Sequence, residues 1–77
     1  MPSGSQIDDA ILAATESRWK KVAMIIVTTA DAFPSDLPDG DAGHRVIADR
    51  IGALVREGRL VAQGDITRWR HSEVRRA

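Results

Sequence analysis

The stretch Ile47-Ala48-Asp49-Arg50-Ile51-Gly52-Ala53-Leu54-Val55-Arg56-Glu57-Gly58-Arg59-Leu60 decides the fold. At 100° per residue, Ile47, Ala48, Ile51, Leu54 and Val55 share one face, and Arg45, Asp49, Gly52 and Arg56 share the other. That pattern is an amphipathic helix with one buried side. Followed backward it starts at Ala42 with Asp41 as its cap, and it ends at Glu57, where Gly58 suits the left-handed residue that closes many helices. Next, Arg59-Leu60-Val61-Ala62-Gln63 alternates like a strand and stops at Gly64-Asp65, with Ser72-Glu73-Val74-Arg75-Arg76 as its partner. Leu60, Ala62 and Val74 then face the core, while Glu73 and Arg75 share the opposite face. The connection from Ile66 to His71 is long for a tight hairpin, so Asp65 or Thr67 is expected to start a short helical turn that tucks Ile66 or Trp69 against the sheet.

Upstream, Asp31 to Asp41 holds two prolines and a glycine among four aspartates, which makes a loop rather than regular structure. Phe33 and Leu37 fold back on the core and Asp39-Gly40 turns; Asp36, Asp39 and Asp41 miss the spacing of a calcium-binding hand. A second helix is expected from Ser17, as cap, to Ala30, with Trp19, Val22, Ala23, Ile26 and Ala30 at helical spacing. Its middle, Met24 to Thr29, has strand propensity, and only the flanking pattern decides for helix. Trp19 reads as an anchor at the core edge. The first helix is expected from Gln6, capped by Ser5, to Thr15 or Glu16, with Ile7, Ile11, Leu12 and Ala14 inward. Residues 1–5 carry no apolar anchor after Met1 and are expected to be disordered, which leaves one domain over residues 6–77.

The length limits what such a domain can hold. Of 77 residues, 43% are apolar, and 11 of these are alanine, so the larger side chains suffice for three helices and little else. Cysteine is absent, which removes disulfides, thiolate metal sites and thiol catalysis, and matches usage in a reducing cytoplasm. Neither an apolar membrane span nor a secretion signal is present, so a cytoplasmic protein is expected. Net charge is zero, yet residues 1–43 carry three bases against seven acids, and residues 44–77 carry eight arginines against four acids. Either the halves neutralise each other within the fold, or the arginines meet a partner's phosphates or carboxylates in bidentate geometry.

Three helices followed by a two-stranded antiparallel wing is the order of a winged helix-turn-helix, an α+β class. In addition, Arg50-Ile51-Gly52-Ala53-Leu54-Val55-Arg56-Glu57-Gly58-Arg59-Leu60, then Gln63-Gly64-Asp65, then Trp69-Arg70-His71-Ser72-Glu73-Val74-Arg75 resembles a bacterial family, the domain of unknown function numbered thirty-six fifty-eight. Arg70-x-Ser72-Glu73-Val74-Arg75 is the specific part of the likeness, which covers residues 6–76. Longer members carry another uncharacterised module in front, which is missing from this sequence. The resemblance implies a fold and no particular activity.

Catalysis finds no support in the residues. His44 and His71 match no metal spacing, and His71-Ser72-Glu73 holds the residue types of a hydrolytic triad on alternating faces of a strand, where no relay can form. The glycines form no phosphate loop, and neither cofactor nor metal is expected. Two classes of function remain. The first is a docking or regulatory domain that meets a protein partner or a second copy through Arg70, Glu73, Arg75 and an exposed strand edge. The second is nucleic-acid binding, with Arg45 and Arg56 on the third helix and Arg68 and Arg70 on the wing. Asp49 argues against the second, since it follows Arg45 by one turn. The plainer expectation is that Arg45 pairs with Asp49, and Arg70 or Arg75 with an acid of the N-terminal half.

Overall fold

A computed structural model describes all 77 residues. Helix α1 spans Gly4–Ala14 and starts earlier than the sequence pattern suggests. Ser3, not Ser5, is the cap: its Oγ accepts the Gln6 N–H at 3.1 Å, and Gln6 Oε1 accepts the Ser3 N–H at 2.8 Å. This reciprocal box satisfies two amide groups that a helix start otherwise leaves unpaired, and it draws Gly4 and Ser5, expected in a disordered arm, into the helix. Ile7 and Ile11 enter the core, and the chain leaves α1 at Thr15, whose buried hydroxyl donates to the Leu12 carbonyl at 2.9 Å.

A second departure from expectation lies between α1 and the next helix. Lys20–Lys21 is a short strand, β1, and helix α2 begins only at Val22 and runs to Asp31. Ser17 is no cap and Trp19 precedes the helix by three residues. Within α2 the strand-prone run stays helical because Val22, Ile25, Ile26 and Thr29, at helical spacing, are all buried. Packing of that stripe outweighs intrinsic propensity.

Helix α3 spans Asp41–Arg56, one residue earlier at each end than expected, with Gly40 at φ 61° as its cap. Gly58, at φ 78°, lets the Gly58 and Arg59 amides donate to the Val55 and Leu54 carbonyls at 3.1 and 3.0 Å, a Schellman closure. The chain then enters β2, Leu60–Gln63, crosses through a 3-10 turn at Trp69–His71, and returns as β3, Glu73–Arg76.

The sheet order is β1-β3-β2, antiparallel throughout. Three strands therefore replace the expected two-stranded wing, and β3 is the central strand. Val74 pairs with Ala62 on one side and Lys20 on the other. The result is a small α+β domain of winged-helix-like arrangement. Its core is ten buried residues: Ile7 and Ile11 of α1, Val22, Ile25 and Ile26 of α2, Ile47, Ile51 and Leu54 of α3, and Leu60 and Val74 of the sheet. Phe33 and Leu37 of the loop pack against it, as expected. No helix is long and apolar enough to cross a membrane.

Candidate functional site

The β2–β3 connection helps build a surface on which four of the arginines gather. Gly64 turns it at φ 82°, and a Cβ there would lie 2.9 Å from the His71 carbonyl oxygen, so glycine is required by conformation and by space. Asp65 Oδ1 then accepts the Thr67 amide at 3.0 Å and the Thr67 hydroxyl at 2.7 Å. The Arg68 amide donates to the Asp65 carbonyl, the His71 amide to the Arg68 carbonyl, and the buried Ser72 hydroxyl to the Arg68 carbonyl at 2.8 Å. Thus the Ser72 hydroxyl is committed to the backbone. This wing is pinned rather than extended.

It stands beside the outward face of α3. A Cβ at Gly52 would stand 3.7 Å from Ile66 Cδ1 and 3.3 Å from Arg56 Nη1, and Gly52 is buried although its helical phase faces away from the core. Trp69 and His44 meet in a T-shaped contact, with ring centroids 6.4 Å apart and planes at 73°. The indole therefore packs toward α3, not simply onto the sheet. Trp69 lines two adjoining hollows, as do Arg45 and Thr67. One, of about 440 Å³, is lined by Asp41, Arg45, Arg68, Arg70 and His71. The other, of about 340 Å³, is lined by Arg45, Asp49, Arg56 and Ile66. Both volumes fall within the range of about 300–1,000 Å³ usual for small-ligand sites.

Arg45, Arg56, Arg68 and Arg70, far apart in sequence, are thereby brought to one groove, and all four are exposed. None lies within ion-pair distance of a carboxylate. The ion pairs are Arg18–Glu16 at 2.9 Å, Lys20–Glu16 at 3.5 Å and Arg50–Asp8 at 2.7 Å. The expected Arg45–Asp49 pair is not formed, and neither Arg70 nor Arg75 reaches an acid of the N-terminal half. Only Arg50 links the two charge-biased halves.

The Arg70, Glu73 and Arg75 set is divided. Arg70 belongs to the groove, whereas Glu73 and Arg75 lie half-buried on the outward face of β3, where the Arg75 guanidinium stands 5.1 Å from the centre of the Trp19 ring. Because β3 is central, its backbone is paired on both sides. The free edges belong to β1 and β2.

The Asp65 carboxyl is held below the ordinary aspartate range, first by the Thr67 hydroxyl, then by the Thr67 amide, against a smaller opposing cost of burial. A depressed folded value means that the turn's contribution is present above the ordinary aspartate pKa of about 4 and is lost as pH falls through Asp65's own lower value. In a carboxyl-carbon NMR titration Asp65 should titrate below the usual range, and Thr67→Val should move its midpoint upward. An unmoved midpoint would contradict this wing geometry.

No cluster of three or more histidine or carboxylate side chains is placed to hold a metal ion. Sequence reading named the four groove arginines but missed Trp69 as part of the site. Its one signal was an indole set between Arg68 and Arg70. No protein-family model, curated protein or solved structure matches the chain, so the likeness of its closing motif to an uncharacterised bacterial domain rests on the residues alone.

Proposed function

We propose that the protein binds nucleic acid through the groove between α3 and the wing. The observation that carries this reading is the convergence of Arg45, Arg56, Arg68 and Arg70 on one surface, with none held in an ion pair. Unpaired guanidinium groups fit phosphate oxygens in bidentate geometry, and binding then releases counterions from the polyanion. Asp41 and Asp49, which line the groove beside the arginines, reduce the net local charge, so affinity is modest and depends on a few contacts. Docking through a strand edge has less to rest on, because Glu73 and Arg75 sit on the sheet's central strand.

Retention on immobilised oligonucleotides, single- or double-stranded, is expected at low salt and should weaken steeply as salt rises. Arg45→Ala combined with Arg68→Ala removes two phosphate contacts and should flatten the slope of log affinity against log salt by about 1.4–1.8. Both side chains are exposed, so the fold should be unaffected. Absence of retention on either kind of strand at low salt would sink the proposal.

A further inference from the structure

We infer that Trp69 is a stacking platform for an unpaired base, with Arg45, Arg68 and Arg70 holding the phosphates that flank it; this rests on the nucleic-acid reading above and names the strand it takes. Three features of the groove separate it from a surface made for a duplex. First, the wing stands beside the middle of α3: Ile66 lies next to Gly52, and both line the hollow between helix and wing. A helix flanked there turns its outward face into a hollow, a poorer fit to a major groove, which must admit that face over several turns. Second, the turns of α3 that stay open carry Asp41 and Asp49 beside Arg45, and these carboxylates would face the dense phosphates of a double helix. A single strand carries less charge per unit length and, being flexible, suffers less from Asp41, which lines the same hollow as Arg45, Arg68 and Arg70.

Third, Trp69 is the one apolar side chain lining the arginine-rich hollow, and it also lines the adjoining one. Trp69 is half-buried, its ring meets His44 in a T-shaped contact, and the bonds from Asp65 to Ser72 fix the turn that carries it, so the indole is set before any ligand arrives. A fixed aromatic face flanked by guanidinium groups is how proteins hold single strands without strong sequence preference, since every base offers a π-face. Trp19, the only other tryptophan, already lies under the Arg75 guanidinium on the far face of the sheet.

Trp19→Phe leaves Trp69 as the sole indole reporter. In that background, a short oligothymidine at low salt should quench Trp69 emission saturably, and an abasic deoxyribose-phosphate strand should not. Trp69→Leu should weaken oligothymidine binding about tenfold, with little change toward the abasic strand, and Trp69→Phe should keep most of the affinity. The phenylalanine variant guards against loss of the fold, checked by an unchanged circular dichroism spectrum. If oligothymidine binds with no change in Trp69 emission and Trp69→Leu binds it as well as the parent, the stacking inference is overturned while the arginine groove stands. If no strand binds at low salt, the groove reading fails and stacking fails with it.

Discussion

Gly43→Ala lowers the urea midpoint of unfolding, whereas Gly52→Ala in the same helix leaves it unchanged or raises it. Helix propensity alone predicts a gain of about 1 kcal/mol at both sites, since alanine is the best helix former and glycine nearly the worst. The two glycines differ in what a Cβ would meet. Gly43 is buried in the first turn of α3, and a Cβ there runs into the Pro38 carbonyl oxygen, while Leu37 Cβ at 3.5 Å is an ordinary contact. A backbone carbonyl cannot swing aside as a side chain can. Relief requires the loop that carries Phe33 and Leu37 to lift off the core, and such overpacking typically costs about 1–3 kcal/mol, on the order of the propensity gain or more. At Gly52 the nearest atom, 3.3 Å away, is the far end of Arg56, which can rotate into water, and Ile66 at 3.7 Å is an ordinary contact. A domain of 77 residues has about 4–12 kcal/mol of stability in all, so a sign difference between two alanine substitutions is readily measured. Equal responses would mean that the loop does not rest on the first turn of α3.

The same two glycines show where the sequence was legible and where it was not. Helix α3 was readable because its periodicity and its closing glycine are local, and its ends were placed to within one residue. The phase of Gly52 correctly put it opposite Ile47 and Ile51, but a helical phase cannot say what a later segment will lay beside the outer face. That flank depends on Ile66, and its placement depends on how residues 64–72 turn back. Strand β1 was hidden for a related reason. Lys20 and Lys21 have no strand signal of their own and become extended because Val74 and Glu73, near the other end of the chain, pair with them. With those residues held by the sheet, α2 cannot start at Ser17 despite a suitable cap there. The start of α1 is a different matter: Ser3 and Gln6 have capping-box spacing, so the signal was present in the residues themselves. For the site, the four arginines could be named by residue type, while their convergence and the place of Trp69 among them needed the wing.

Arg50→Gln destabilises the protein more than Asp8→Asn, and the double variant is less destabilised than the sum of the two. Arg50 Nε and Nη2 donate to the two oxygens of Asp8 at 2.8 and 2.7 Å, a fork that ties α3 to α1. The partners are buried unequally: the Asp8 side chain is 10% exposed and that of Arg50 35%. Removing the arginine strands a carboxylate away from water with neither of its donors. Removing the carboxylate leaves a guanidinium already a third open to solvent, which can turn outward. Breaking a buried pair from the side that leaves the buried charge is the costlier cut, because an unmet desolvation penalty replaces an interaction. The Asp8 hydrogen bond and charge raise Arg50 above its ordinary value, so the cation persists at any pH at which the folded protein is studied. Stability that falls on the arginine side thus reflects geometry, not titration. Urea midpoints of the parent, both single variants and the double variant give the coupling directly. Arg50 lies outside the groove, so each variant that stays folded should bind oligonucleotide as the parent does. Equal costs for the two single changes, additive in the double, would show that the fork contributes nothing beyond two independent surface charges.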